Sequence, residues 1–235
     1  MLEPQHQNPG QMESPNGYDV FKSQIAEAID SFPGLTSFIK DGVPGLTGKV
    51  ELIDVDGNCH DEYSVKILAT GTFPNSFPLL FEIGGQIPKN YDWHVYETDG
   101  HCCIKTTPEE ILACKKGITL KRFIEDEVKP YLFNQTFRRL NGFFSQERSH
   151  GFMGSLEFLQ EVFETKNINL IKNGLLFISR RKTPNRTAMC FCGSGKKYRK
   201  CHRDTYENLS VLSDDHLNTI LDQIQRYIKN NYSSC

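Results

Sequence analysis

Two pairs of metal-binding residue types near the C-terminus constrain this chain most strongly. A tetrahedral zinc site needs three or four thiolate and imidazole ligands within one small volume. Two close pairs joined by a short loop supply such a set, and glycines in the loop let it turn back without a Cβ clash. The pairs are Cys190 with Cys192 and Cys201 with His202, and the glycines are Gly193 and Gly195. The alternatives are disulfides or incidental surface thiols, although Cys190 and Cys192 are too close together for an unstrained mutual bridge.

The string CFCGSGKKYRKCHRD, from Cys190 to Asp204, resembles the SEC-C motif, a short zinc-binding element found in many bacterial proteins. The Gly-Ser-Gly run, Tyr198 and the final Cys-His pair carry the resemblance. It implies that Zn²⁺ is bound by Cys190, Cys192, Cys201 and His202. It implies no catalysis at that site, because a metal with four protein ligands has no open position for water.

Composition bounds the rest of the chain. Its 235 residues can bury one good core plus an appendage. We expect a cytoplasmic protein without a membrane segment, because no apolar run approaches ~20 residues and the first residues lack a basic-then-apolar signal. In that compartment, cysteines are more often metal ligands, nucleophiles or core residues than members of disulfides. The cysteines outside the zinc pattern are Cys59, Cys102, Cys103, Cys114 and Cys235.

The charge is distributed unevenly. The formal net charge is −2, yet the stretch from Arg180 to Arg203 contains nine Lys or Arg residues and no Asp or Glu. Such a patch can bind an acidic protein surface, or nucleic acid as the second choice. The alternative is a solvated face around the zinc site. The predicted partner-binding residues are Arg180, Arg181, Lys182, Lys196, Lys197, Arg199 and Lys200.

Hydrophobic periodicity predicts a helix followed by an antiparallel meander. Residues 1–17 are polar and are expected to form a disordered lead-in. Residues 18–32 place apolar side chains on one helical stripe. Residues 49–55, 63–69 and 79–83 read as three strands, and Asp56-Gly57 is a hairpin-turn signal.

An unpatterned stretch from Gly84 to Pro108 separates this meander from the later helices. Long irregular loops in compact domains are usually functional or disordered, and the aromatic residues and cysteines here argue against disorder. The loop carries Trp93, His94, His101, Cys102 and Cys103. Helices are then predicted from Thr119 onward, with a kink or division at Pro130, and over residues 155–163 and 214–229. The fold class is therefore α+β.

Several short motifs follow this order of elements, namely Phe73-Pro74, Phe77-Pro78, the run 79–83, His94-Val95, Gly100 and Cys103-Ile104. Together with the order of elements, they resemble the ubiquitin-conjugating-enzyme fold over residues 18 to about 144. The resemblance implies that Cys103 is the nucleophile.

Two departures from that family matter. Asp92-Trp93-His94 stands where the family has His-Pro-Asn, and one extra residue lies between His94 and Gly100. His94 therefore occupies the place of the Asn that supports the oxyanion or the loop, as a hydrogen-bond donor or as a base. A bacterial branch found beside cGAS-like nucleotidyltransferases in cyclic-oligonucleotide antiphage (CBASS) systems is similar, with His-Val ahead of Gly-x-x-Cys. His101 and Cys102 are auxiliary candidates.

The resemblance implies a transferase of antiviral defence. Cys103 would form a thioester with the C-terminus of a cGAS-like nucleotidyltransferase or another ubiquitin-like donor. The chain has no glycine-rich phosphate loop of either common type, so a separate enzyme would activate the donor. We expect a conjugating-like domain over residues 18–179, with its core ending near 144 and a helical extension, and a zinc module over 180–235. The alternatives are buried core cysteines and a non-catalytic, RWD-like scaffold that binds nucleic acid or an acidic protein.

Overall fold

The computed structural model describes residues 16–232, and within them the chain is an α+β protein with one four-stranded sheet. The strands are β1 (Leu35–Lys40), β2 (Val43–Ile53), β3 (Cys59–Leu68) and β4 (Leu79–Glu82). The helices are α1 (Gly17–Ser31), α2 (Thr107–Lys115), α3 (Leu120–Arg122), α4 (Lys129–Asn141), α5 (Gly151–Val162), α6 (Ile168–Ser179), α7 (Arg203–Leu209) and α8 (Asp214–Tyr232). Cys235 and all but the last two residues of the expected lead-in lie outside the described residues.

The sheet is an antiparallel meander in the order β1-β2-β3-β4. Three strands were predicted, so β1 and the first half of β2 are additions. Pro44, Gly45 and Gly48 interrupt the apolar pattern there. The missed signal is Asp41-Gly42, whose φ values of 50° and 81° have the positive sign that a two-residue hairpin turn requires.

The first hydrophobic core lies between the sheet, α1 and the helical segment that begins at Leu120. Phe21 of α1 and Tyr63 of β3 are fully buried in it. The Tyr63 hydroxyl pairs with Thr136 Oγ1 of α4 at 2.9 Å, so the buried phenol has a partner and the sheet is fixed against α4. This packing holds in place the loop that follows β4.

The helical segment from Leu120 to Asn141 is continuous. Thr119 caps it, because its side chain accepts from the Arg122 N–H. A kink or division was predicted at Pro130. Instead the helix widens into a π-helical stretch over Phe123–Val128, in which the Lys129 N–H donates to the Ile124 carbonyl five residues back. The hydrogen-bond register thus changes just before the proline, and the helix continues.

A second hydrophobic core joins α5, α6 and α8 to the cysteine and histidine segment, with Leu159, Ile171 and Leu217 fully buried. The α5 and α8 helices were predicted, whereas α2 and α6 were not. Their start signals are an N-cap at Asn167, which accepts from two N–H groups, and the Thr106 N–H bonded to Glu109 at 3.1 Å. The division of the chain at residue 180 stays a prediction.

None of the helices within residues 16–232 combines the length and the apolar character that crossing a bilayer requires.

Candidate active site and metal centre

The irregular loop after β4 is built as an extension of the sheet. Val95 and Cys102 form an isolated antiparallel bridge, and the Cys102 N–H donates to the Leu80 carbonyl of β4 at 2.7 Å. Between the two bridge residues, Gly100 turns the chain with a positive φ of 86°. The bridge places Cys102 in extended backbone, where neighbouring side chains face opposite sides.

The two adjacent cysteines have different environments. Cys102 is 5% exposed and belongs to the first core, where burial raises the pKa of its thiol to about 12. Cys103 is half-buried and lines an open groove of about 1330 Å³. The groove lies between the loop, α4, the segment before α5, and α5 itself. Of the two thiols, only that of Cys103 lines this groove.

His94 lines the same groove and is fixed through its backbone. It has a left-handed conformation with φ 52° at the end of a 3₁₀ turn, Tyr91–Trp93. Its carbonyl accepts from the Cys103 N–H at 2.7 Å and from the Tyr131 hydroxyl at 3.1 Å. Because Tyr131 belongs to α4, the packed helix sets the position of His94 beside Cys103.

The first core also holds the residue before His94. Gln135 of α4 donates to the Trp93 carbonyl at 2.9 Å, and the Arg138 guanidinium stacks on the Trp93 ring at 4.3 Å. The same guanidinium donates to the Asp92 carbonyl. Three successive residues of the loop are thus tied to one helix, which makes the groove wall rigid rather than an adaptable loop.

Burial controls the protonation of both site residues. It lowers the pKa of His94 to about 4, with smaller contributions from His150 and Arg138, so the imidazole is neutral near pH 7. Burial also raises the pKa of the Cys103 thiol, and the Glu109 and Glu110 carboxylates act in the same direction. The resting site is therefore a protonated thiol beside a neutral imidazole.

A second histidine completes this cluster, and sequence reasoning missed it. The His150 ring, at the N-cap of α5, packs on the His94 ring with centroids 4.3 Å apart. The ligand atoms of His94, Cys103 and His150 all lie within 4.8 Å of one another. No sequence signal points to His150, because it is remote from the loop in sequence and stands in an unpatterned segment.

The auxiliary candidates do not line the groove. His101 Nδ1 pairs with Asp99 at 2.6 Å, and its ring stacks on Tyr96 at 4.2 Å. Cys102 is buried in the core, as described above. A catalytic role for either residue stays a prediction without a contact to the groove in its favour.

The predicted zinc ligands come together in the second core. Cys192 Sγ lies 3.6 Å from Cys201 Sγ, and His202 Nδ1 lies 3.4 Å from Cys190 Sγ and 3.1 Å from Cys201 Sγ. Tetrahedral zinc with ordinary bond lengths places two sulfurs ~3.8 Å apart and sulfur and nitrogen ~3.6 Å apart. The four residues therefore have the chemistry and nearly the spacing of a closed zinc site.

The other ring nitrogen of His202 supports the same conclusion. Its Nε2 lies 3.3 Å from the Phe163 carbonyl, which leaves Nδ1 directed at the thiols. Metal-binding histidines typically donate their second N–H to a carbonyl in this way. The residues present thus fit Zn²⁺, and the Cys₃His cluster is compatible with zinc binding.

The seven predicted partner-binding cations are all exposed. Arg181 is engaged within the fold, because its guanidinium pairs with Asp214 at 2.7 Å and donates to the carbonyls of Ser210 and Leu212. Among residues 16–232, none of the other six takes part in an ion pair. The contact to a partner stays a prediction for all seven.

Comparison with known proteins identifies one element of the chain. Residues 186–204 match the SEC-C motif, which includes all four predicted zinc ligands. No curated protein and no solved structure shows significant similarity to the chain. The motif is thus established for residues 186–204, within the C-terminal part of the chain from residue 180 onward (the tail), whereas the comparisons do not identify the groove around Cys103.

Proposed function

We propose that this protein is a thioester-forming acyltransferase of the ubiquitin-conjugating type, with Cys103 as its nucleophile. One observation carries the proposal: Cys103 opens into a large groove beside His94, whereas the adjacent Cys102 faces the core. A thiol that only filled space would be buried like Cys102. The order of elements also supports it, because a helix, an antiparallel meander, an irregular loop with the cysteine and further helices follow one another.

The proposed chemistry proceeds in two steps, a thioester exchange and an aminolysis. The Cys103 thiol loses its proton and attacks the acyl carbon of a donor C-terminus that is already activated as a thioester. The bond to the leaving thiol breaks, and that thiolate takes up a proton. An acceptor amine then attacks the new thioester, an amide forms, and the Cys103 thiol is regenerated. Because the exchange of one thioester for another is nearly isoenergetic, positioning and oxyanion stabilisation matter more than strong acid-base catalysis.

His94 is better suited to be an oxyanion donor than a base. An efficient general base has a pKa near the working pH, and burial holds the pKa of His94 at about 4. A neutral imidazole nevertheless carries one N–H that can donate to developing negative charge. Its backbone is already fixed beside Cys103, because the His94 carbonyl accepts from the Tyr131 hydroxyl and the Cys103 N–H.

The proposed donor is a cGAS-like nucleotidyltransferase or another protein with a ubiquitin-like C-terminus, in a cytoplasmic antiviral system. Two segments, His94-Val95 and residues 100–103, resemble the bacterial antiphage branch, and this resemblance supports the choice. The groove is rich in carboxylates, and seven acidic residues line it against three lysine or arginine residues. That charge suits an approaching lysine as the acceptor.

The tail is proposed to be a zinc-stabilised docking module. The four ligands that meet in the second core supply the structural site, and the six cations without an ion pair supply a basic surface. An acidic face of the donor protein is the proposed counterpart. Nucleic acid binding by the same cations belongs to the alternative function, a scaffold without catalysis.

The test is a covalent adduct. The protein is mixed with a candidate donor and its activating enzyme and analysed by gel and intact mass, with and without reductant. We expect a species of summed mass that thiols or hydroxylamine remove, because thioesters are labile to both. Cys103→Ser should convert it to a reductant-resistant oxyester or abolish it. Cys102→Ala is the matched control and should keep the adduct.

Two outcomes would contradict the proposal. An adduct that survives in Cys103→Ala and disappears in Cys102→Ala would show that Cys102 is the nucleophile and that the proposed assignment to Cys103 is wrong. If no adduct forms with any co-purifying partner, and the protein instead retains nucleic acid through the basic tail, the scaffold function is favoured.

A further inference from the structure

A three-ligand set of nitrogen and sulfur atoms lies outside the SEC-C motif, at the groove. His94, Cys103 and His150 place one ligand atom each within 4.8 Å of one another. Within residues 16–232, the ring nitrogens of both histidines have no hydrogen-bond partner. Two imidazoles that pack on each other with no partner for their ring nitrogens leave lone pairs available beside a thiol.

We propose that His94, Cys103 and His150 form a second, reversible zinc site, which holds the Cys103 sulfur and blocks its reaction. Imidazole and thiolate are ligands that Zn²⁺ prefers, and three protein ligands leave the fourth tetrahedral position open for water. Binding replaces the S–H bond by a Zn–S bond and releases one proton. No oxidant or reductant is required.

The groove site is less preorganised than the one in the tail. In the tail, the Phe163 carbonyl orients His202, and three of the contacts between ligand atoms are 3.1 to 3.6 Å long. In the groove, His94 is held by its backbone, whereas His150 is exposed at the start of α5 and its ring packs on the rings of Tyr91 and His94. We therefore expect weaker metal binding in the groove than in the tail.

The surrounding charges allow a cation to approach. Arg138 stacks on the Trp93 ring and donates to a backbone carbonyl, and Arg148, which lines the groove, is paired with Glu109. The groove itself carries an excess of carboxylates, including Glu109 and Glu157. A divalent cation is therefore attracted to the groove that leads to the three ligands.

The binding part of this inference stands on the three ligands alone, whereas the inhibitory part rests on the proposed function. Zinc on the Cys103 sulfur removes the lone pair that would attack the donor. Zinc at about ten times its dissociation constant would leave roughly one molecule in ten unbound and reactive. The site would thus regulate the enzyme by metal availability.

Cobalt reports the site directly. Full-length protein with zinc in the tail is titrated with Co²⁺, and the thiolate-to-cobalt charge-transfer band is followed while a colorimetric chelator monitors released zinc. We expect one additional Co²⁺ per chain, a charge-transfer band from one thiolate, and no zinc release. Cys103→Ser should abolish the band, and His150→Ala should weaken Co²⁺ binding at least ~10-fold. His101→Ala and Cys102→Ala are controls that should bind normally.

Alkylation of Cys103 gives the second readout. Added Zn²⁺ should slow its modification by a small reagent ~10-fold at ten times the dissociation constant, and His150→Ala should remove that protection. The site is rejected if extra Co²⁺ binding persists in both Cys103→Ser and His150→Ala, or if all Co²⁺ uptake is matched by zinc release from the tail. Metal binding without any donor adduct would instead reject the proposed function and keep the site.

Discussion

His202 Nε2 donates a hydrogen bond to the carbonyl of Phe163, at a distance of 3.3 Å. Phe163 caps the C-terminal end of α5, and His150 stands at the opposite end of the same helix. Thr205 adds a second contact, because its hydroxyl donates to the Val162 carbonyl at 2.9 Å. The tail therefore satisfies carbonyls that the helix end leaves free, and one helix connects the zinc centre with the groove.

Removal of the tail metal should loosen α5. We expect about one zinc per chain in gently purified protein, and loss of it in the double variant Cys190→Ser with Cys192→Ser. Without metal, His202 is no longer oriented, so amide hydrogen exchange should rise in α5 and in residues 190–209. The first core does not include these ligands, so exchange in β2 and β3 should stay unchanged.

Elemental analysis that finds no metal would contradict this prediction at its first step. Uniform unfolding of the sheet in the double variant would contradict the second step, because it would make the two cores one cooperative unit.

Partner binding through the tail should depend on salt. Exposed charges are screened over ~8–10 Å at physiological ionic strength, so affinity should fall as salt rises. Replacement of Lys196, Lys197, Arg199 and Lys200 by Ser should weaken binding and leave the zinc content unchanged. The matched control replaces four exposed lysines outside the tail, namely Lys22, Lys40, Lys115 and Lys116. Equal loss in both quadruple variants would show an effect of net charge alone.

The stability of the fold should decrease as the pH falls from about 6.5 to about 4, in part through His94. Its pKa in the folded protein is about 4, below the ordinary value of 6.5, so in this window the unfolded chain binds a proton that the folded one does not. The stabilisation is fully present above pH 6.5 and is lost toward pH 4.

Urea unfolding across that range measures the effect, with His94→Asn as the reference that lacks the titrating group. As the pH falls, the free energy of unfolding of the wild type should decrease more than that of His94→Asn. A difference that is constant with pH would show that His94 is not held neutral by burial.

Thiol labelling should separate the cysteines. With zinc bound in the tail, mass spectrometry that resolves each site should find Cys59 labelled before Cys103, because Cys59 is exposed and Cys103 is half-buried in an open groove. Burial raises the pKa of Cys103 above its ordinary value of 9.0, so its rate should keep rising above that pH. Cys102 should stay protected until the protein unfolds, and rapid labelling of Cys102 would contradict the assignment of the groove.

Local pattern predicted the elements whose signal is local. The stripes of α1 and α8 and the alternation of β3 are each readable within one element, and the structure contains them. The glycine spacing and the Cys-His pair likewise predicted a cluster that does come together. Missed elements had weaker periodicity: proline and glycine interrupt β2, and α2 and α6 have start signals but follow segments that look like loops.

The groove was predictable only in part. That one of two adjacent cysteines would face the groove follows from the alternation of extended backbone, which is a local property. The identity of the groove's other wall is not local, because α5 reaches it through the packing of the second core. His150 arrives beside His94 for that reason, and no spacing within the loop encodes the contact.

The sharpest prediction concerns what the side chain at position 94 must supply. His94 has φ 52°, which Asn and Asp tolerate and Ala does not, so His94→Ala changes the backbone as well as the ring. His94→Asn keeps the conformation and an N–H donor, whereas His94→Asp keeps the conformation without a donor. If His94 donates to the oxyanion, His94→Asp should slow adduct formation ~10²–10³-fold, the usual effect of losing one such donor. His94→Asn should stay within ~10-fold of the wild type, since its amide supplies the hydrogen bond. Single-turnover kinetics of the adduct measure both, and equal rates for the two variants would remove His94 from the chemistry.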